Sequence, residues 1–323
     1  MDQGLIKLSD YVISYLADKG IKDIFMITGG GAMHLNDSIG NSKDITYYCN
    51  HHEQASAMAA ECYARLRGIG ACNITTGPGG TNTLTGLIGA WLDSVPVIFI
   101  SGQVKRETIV PKGSHLRQLG IQELNIVDVV SPITKYAVLV EDEKAIKYHL
   151  DKAFYEATSG RPGPVWLDIP LDIQAKHINP STLKGFSAEK DEIFDKKIVQ
   201  KQVKEVINLL KESKRPVILA GGGIRLSNAY PEFTKLINTL GIPVTTGMSS
   251  HDLIPSSHKL FFGRPGGFGE RVGNFVIQNS DLVISIGSRL HLWIISYDYK
   301  NFARAAKKII VDIDPAELKK PTI

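Results

Sequence analysis

Cysteine is scarce. Only Cys49, Cys62 and Cys72 occur among 323 residues, an odd number without Cys-x-x-Cys spacing, which excludes a disulfide framework and favours reduced thiols. Long apolar runs are also missing. The longest lies near Val95 to Ile100, far below the roughly 18 residues of a membrane span. The opening residues, Met1 to Lys7, show no basic stretch leading into an apolar core and a cleavage site, so no secretory signal is expected and the cytoplasm is the expected compartment. Charge of neither sign dominates: 37 Lys+Arg against 33 Asp+Glu leave +4, scattered along the chain. Neither nucleic acid nor a membrane surface is therefore an expected partner. With 43% hydrophobic and 22% charged residues, disorder and fibre are excluded as well.

What is present is an alternation of strand-like and helical segments, long enough for two domains of ordinary size. Strands are expected over Ile21 to Thr28, Ile45 to Cys49, Ala71 to Thr75, Val95 to Ile100 and Val165 to Ile169, rich in Ile, Val, Phe and Tyr and mostly followed by Gly, Pro or Thr. Helices are expected over Leu5 to Lys19, over His52 to Leu66 with its five alanines, and from Thr81 through Trp91. A polar stretch around 176–196 reads as a linker between a first domain, 1–175, and a second, 197–323. In the second, a helix over Lys197 to Lys211 precedes strands at Pro216 to Ala220, Ile242 to Thr246, Asp281 to Ile286 and Lys308 to Ile313, with a helix near Tyr230 to Leu240. The expected fold is α/β, with two doubly wound parallel-sheet domains. Only eight residues follow Pro315, so the second domain is expected to be incomplete at its C-terminus.

Three strand-to-helix junctions could carry chemistry. His51-His52-Glu53-Gln54 places a carboxylate where a strand ends and a helix begins, a position that suits ligand binding and also ordinary helix starts. Cys49, His51 and His52 could be zinc ligands, but no second Cys/His pair accompanies them. Thr75-Thr76-Gly77-Pro78-Gly79-Gly80-Thr81-Asn82 forms a rigid, glycine-rich turn in which Thr81 or Asn82 can cap the next helix. It lacks Gly-Lys-Ser/Thr and is no P-loop. Thr28-Gly29-Gly30-Gly31-Ala32 either admits a ligand or tightens a turn.

These motifs occur in order with others: Tyr63-Ala64-Arg65, Asp93-Ser94-Val95-Pro96-Val97, Ser101-Gly102-Gln103-Val104, Gln122-Glu123, Ile133-Thr134-Lys135, Gly163-Pro164-Val165, Asp168-Ile169-Pro170 and Asp312-Ile313-Asp314-Pro315-Ala316-Glu317. Together they span nearly the whole chain and resemble thiamine-diphosphate-dependent 2-oxo-acid enzymes, nearest in pattern to acetolactate (acetohydroxyacid) synthase large subunits.

The resemblance implies a pyrimidine-binding domain followed by a Rossmann-like central domain, decarboxylation of a 2-oxo acid such as pyruvate, and carboligation. It implies that Glu53 hydrogen-bonds N1′ of the cofactor aminopyrimidine and so controls its protonation. It places Gly30 and Gly31 at the reaction centre, Pro78, Gly79 and Asn82 in the pyrimidine pocket, and Gln122 as an active-site glutamine. Between Val104 and Gln122 the chain is several residues longer than the family pattern. Thr28-Gly29 stands where the family has Tyr-Pro.

The family holds the diphosphate and Mg²⁺ through Gly-Asp-Gly and Asn-Asn. Gly-Asp-Gly occurs nowhere here, so the metal and diphosphate site is expected on a missing domain, no metal ligand is assigned, and this chain alone is expected to be inactive. The family's central domain binds FAD partly through Phe-Asp-Asp-Arg, where this chain reads Arg289-Leu290-His291-Leu292-Trp293, while Gly221-Gly222-Gly223-Ile224-Arg225 keeps a flavoprotein-like glycine turn. FAD therefore stays open. A homodimer or tetramer is implied, with the helix after Glu53 and the segment Leu84 to Trp91 as candidate interfaces. Other acceptors, simple decarboxylation, and a non-catalytic assembly module remain alternatives.

Overall fold

The central strands, several of them rich in Val, Ile and Phe, come out buried on both faces, as parallel sheets covered by helices require. The computed structural model describes residues 4–188 and 194–322 in two units, Met1–Lys190 and Asp191–Ile323.

In the first unit a short strand, β1 (Ile6–Lys7), precedes β2 (Asp23–Met26), β3 (Thr46–Cys49), β4 (Gly70–Ile74), β5 (Val97–Gln103), β6 (Tyr136–Leu139), β7 (Val165–Pro170) and β8 (His177–Ile178). Six of them form one sheet in the order β3-β2-β4-β5-β7-β6, every pair parallel. Its helices are α1 (Leu8–Asp18), α2 (Met33–Asn41), α3 (Glu53–Arg67), α4 (Pro78–Asn82), α5 (Leu84–Asp93), α6 (Ile126–Val130), α7 (Ile146–Thr158) and α8 (Leu171–Gln174).

Alternation along the central strands divides the core in two. On one face Ile98, Ile100, Val165 and Leu167 meet Val12 and Leu16 of α1, Leu35 and Ile39 of α2 and Leu150 of α7. On the other, Val97, Phe99 and Trp166 meet Ala57, Ala60 and Ala64 of α3, Leu87 and Ala90 of α5 and Val130 of α6. The small α3 face permits close approach: a Cβ at Gly70 would collide with the Ala60 carbonyl. Arg65 ties α3 to α5 through Asp93 at 2.7 Å and also pairs with Glu61, while Tyr63 bonds Asp23 at 2.6 Å. These motif residues are structural.

The N-terminal helix starts at Leu8 rather than Leu5, because Ile6 and Lys7 pair antiparallel with Ile178 and His177. That partner strand lies inside the stretch 176–196 expected as a linker; residues 189–193 of that stretch lie outside the described residues. The helix expected from Thr81 is instead two helices, α4 entered through Gly77 and Pro78, and α5 from Leu84.

The second unit begins with α9 (Lys196–Glu212) and carries β9 (Pro216–Ala220), α10 (Gly223–Leu226), α11 (Tyr230–Leu240), β10 (Val244–Thr246), α12 (Arg271–Gln278), β11 (Leu282–Ile286) and β12 (Lys307–Val311). Its sheet order is β10-β9-β11-β12, all parallel. Ile218 and Ile284 face α11, while Val217, Leu219 and Val283 face α12, so this sheet too is covered on both sides.

Candidate functional site

The chain runs from β2 outward to β3, then returns across β2 to β4 and continues to β5 on the other side. Adjacent β2 and β4 therefore lead in opposite directions, and such a switch point opens a crevice beyond the strand ends. Thr28 to Ala32 follows β2 and Thr75 to Pro78 follows β4. The Gly31 amide donates to Thr75 Oγ1 at 3.1 Å, and Thr76 Oγ1 donates to the Gly102 carbonyl at 2.9 Å.

Glycine is required at several of these positions by packing. A Cβ at Gly31 would strike Thr76 Oγ1, and one at Gly102 would strike the Gly31 carbonyl. Gly77 has φ +57, and its Cβ would strike the Gln122 carbonyl, so a side chain there is excluded twice over. Gly30 differs: a Cβ there meets nothing within 4 Å. Open space lies beside it at the rim.

Glu53 opens α3, where the positive end of the helix favours a carboxylate. Its Oε2 accepts from Asn82 Nδ2 at 2.9 Å. Its Oε1 has no hydrogen-bond partner among the described residues, and a Cβ added to Gly79 would lie 3.6 Å from it. That Cβ would first meet Thr75 Cγ2 at 2.8 Å, so packing against the Thr75 side chain is what calls for glycine at 79. Asn82 makes this contact instead of capping a helix; neither α4 nor α5 has a side-chain cap bond. Pro78 occupies the first position of α4, where a missing amide costs nothing. His52 Nδ1 accepts from the Gln54 amide at 3.1 Å and caps α3. No group of three His, Cys, Asp or Glu suited to a metal occurs among the described residues.

Gln122 reaches the same rim through its backbone. Its φ is +58, and its carbonyl fills the space that a side chain at Gly77 would need. Glu123, next to it, accepts from the amides of Val110, Leu119 and Gly120, the latter two at 2.9 and 3.1 Å. One carboxylate thereby folds the extra residues of this loop onto themselves. Burial, with the negative Glu53 as a lesser cause, pushes the Cys72 thiol up.

Behind the rim lies a buried polar layer. Asn36 Nδ2 donates to the Gly29 carbonyl at 3.2 Å, and Gln174 Nε2 to those of Gly31 and Ile169, both at 2.7 Å. Asp168 accepts from Ser101 Oγ at 2.5 Å and from Gln103 Nε2 at 2.8 Å. Burial raises its carboxyl to about 7, against the opposing effect of those two donors. The residues Ser101, Gln103 and Asp168 stood in recognisable motifs; their mutual contacts, 65 or more positions apart, had no local signal.

Residues 6–129 match the family described as thiamine pyrophosphate enzyme, N-terminal TPP binding domain, and residues 203–322 match thiamine pyrophosphate enzyme, central domain. The chain belongs to the thiamine pyrophosphate enzymes. It is 36% identical to a probable acetolactate synthase large subunit of Methanococcus aeolicus, over 97% of this chain and 51% of that protein. It is equally 36% identical to the chloroplastic acetolactate synthase 2 of Zea mays, over 97% of this chain and 48% of that protein. To the acetolactate synthase large subunit of Lactococcus lactis it is 34% identical, over 97% and 53%. The chain thus spans about half the length of these curated relatives.

The Glu53 carboxylate, one oxygen bonded to Asn82 and the other without a hydrogen-bond partner among the described residues, is the group in this crevice able to bond a cofactor ring. The described residues offer no comparable set for a metal. Two of the three amides of the Gly221 to Gly223 turn are taken by backbone. Its Gly221 and Gly223 amides donate to the Ile286 and Gly287 carbonyls, both at 2.9 Å, and side chains there would collide with Gly287. These two glycines answer to backbone packing between β9 and β11. No helix of the described residues is long and apolar enough to cross a membrane.

Proposed function

We propose that these 323 residues are the pyrimidine-binding part, 1–175, and the central part, 197–323, of a thiamine-diphosphate-dependent 2-oxo-acid decarboxylase and carboligase of the acetolactate synthase type. The observation that carries this reading is Glu53, held by Asn82 through one oxygen while the other has no hydrogen-bond partner among the described residues. When bound, thiamine diphosphate supplies the electron sink for loss of carbon dioxide from a 2-oxo acid. Glu53 shares a proton with N1′ of the aminopyrimidine and so controls the basicity of the ring. Gly30, Gly31, Pro78 and Gly79 give the ring close access, and Asn82 keeps the carboxylate oriented. Gln122 stands at the edge of the same crevice and contacts the substrate.

Pyruvate is the proposed substrate, since relatives over the entire matched length are named acetolactate synthases. The diphosphate and its Mg²⁺ are held by residues outside these 323, which contain no Gly-Asp-Gly; the isolated chain then binds the cofactor weakly and is inactive. A second copy is the proposed partner, through the exposed Met58, Ile88, Trp91 and Leu92 on α3 and α5. The cytoplasm is the proposed location, where the unpaired Cys49, Cys62 and Cys72 stay reduced.

The test is Glu53→Gln in the complete enzyme, assayed with pyruvate. Turnover should fall by about a hundredfold or more, the usual contribution of positioned proton transfer. Product analysis of the unmodified enzyme separates acetolactate formation from simple decarboxylation or another acceptor. Undiminished turnover of the variant would sink the proton role.

A further inference from the structure

We propose that Gln103, its amide turned by Asp168, is a positioning residue that staples the base of segment 104–124 and so fixes Gln122 on the Gly77 turn. The functional half of this inference rests on the reading of Gln122 as a site residue.

The orientation of the Gln103 amide is set from three sides. Its Oε1 accepts from the Val104 amide at 3.0 Å. Its Nε2 donates to Asp168 Oδ2 at 2.8 Å and to the Leu124 carbonyl at 2.9 Å. Both protons on Nε2 therefore have acceptors. A flipped amide would bring its oxygen against two other oxygens and its protons against the Val104 N–H, losing all three bonds.

Asp168 is fixed in turn. Trp166 Nε1 donates to Ser101 Oγ at 2.8 Å, and the Ser101 hydroxyl bonds Asp168 Oδ1 at 2.5 Å. Hydrogen bonds thus run from Trp166 through Ser101 to Asp168 on one side, and from Gln103 to both Asp168 and Leu124 on the other. Ser101, Gln103 and Asp168 are each at most 3% exposed, so water does not compete for these bonds.

Position gives the staple its effect. Gln103 is the last residue of β5 and Leu124 lies 21 residues on, so this one side chain closes the base of the entire segment. Within the segment, Glu123 ties the loop to itself. Gln122, two residues before Leu124, has φ +58 and lays its carbonyl against Gly77. A base that slips carries Gln122 with it.

Any group at 168 that offers Gln103 an acceptor should keep the staple. Asparagine does so, with its amide nitrogen toward Ser101 and its oxygen toward Gln103; leucine does not. Hydrogen exchange of the 323-residue chain, without cofactor, reads this directly. Amides of 105–124 should exchange at least tenfold faster in Gln103→Met and Asp168→Leu, with β4 unchanged, and Asp168→Asn should restore native protection. Native protection in Gln103→Met overturns the proposal even if Asp168→Leu fails to fold. So does an Asp168→Asn chain as mobile as Asp168→Leu. In the complete enzyme, turnover should fall at least tenfold in Gln103→Met. A loosened loop with unchanged turnover would uphold the staple and refute Gln122 as a site residue.

Discussion

Asn82 Nδ2 stands 2.9 Å from Glu53 Oε2, joining the last residue of α4 to the first of α3 across 29 positions of sequence. A carboxylate at a helix start keeps two oxygens free to turn. This contact commits one of them and leaves the other for a ligand.

Asn82→Ala should therefore separate orientation from stability. The bond is solvent-accessible and links a neutral donor to a half-buried carboxylate, so its loss should cost no more than about 1 kcal/mol. The α3 N-terminus still favours the charge. Turnover of the complete enzyme should fall by roughly tenfold, because a loosely held catalytic group loses alignment. Equal kcat/KM for Asn82→Ala and unmodified enzyme would remove Asn82 from the site.

Gly77→Ala and Gly30→Ala make a contrasting pair. At Gly77 a Cβ meets both a positive φ of +57 and the Gln122 carbonyl, and a backbone in such a region costs about 1–3 kcal/mol for a residue with a side chain. The melting temperature of the chain should drop by roughly 3 °C or more. At Gly30 no atom lies within 4 Å of an added Cβ, so melting should stay within about 1 °C of the unmodified protein, since neither a cavity nor a clash is created. Calorimetric scans of both variants check this. Equal destabilisation would mean that Gly30 is held by packing and not by the space beside it.

How much of this was legible in the sequence follows from the range of each interaction. The runs ending in Ile74, Gln103 and Pro170 are buried at every residue, so their composition alone marks them as parallel strands. Tyr136–Leu139 carries no such mark: it is an edge strand, half-buried throughout, and short of the β-branched run that burial on both faces produces. Helix α7, outside the elements expected from the sequence, does carry a local signal, with Ile146, Leu150, Ala153 and Ala157 recurring at helical spacing. Glu53, Gly79 and Asn82 were recognisable as a motif set. Their contacts were not, since a hydrogen bond across 29 residues leaves no periodic trace. Capping by Thr81 or Asn82 is the local alternative for these side chains, and the structure uses neither as a side-chain cap.

The buried Asp168 gives the stability of the first unit a pH dependence of unusual sign. Its carboxyl lies at about 7 when folded, against an ordinary value of 3.8, because burial disfavours the charge more than Ser101 and Gln103 favour it. Below pH 4 both folded and unfolded chains hold the proton, and this group has no effect. Between pH 4 and 7 only the folded chain holds it, so the unfolded state binds fewer protons and stability falls as pH rises. Above 7 both forms are ionised and the cost, on the order of a few kcal/mol, is constant. Asp168→Asn has nothing to ionise and, in the arrangement that retains the Gln103 bond, keeps the acceptor. Urea unfolding of the 323-residue chain should therefore show the variant gaining on the unmodified protein steadily from pH 4 to 7, with no further gain by pH 8. A difference independent of pH across that window would show that the folded carboxyl titrates no higher than the unfolded one, its two donors at least offsetting its burial.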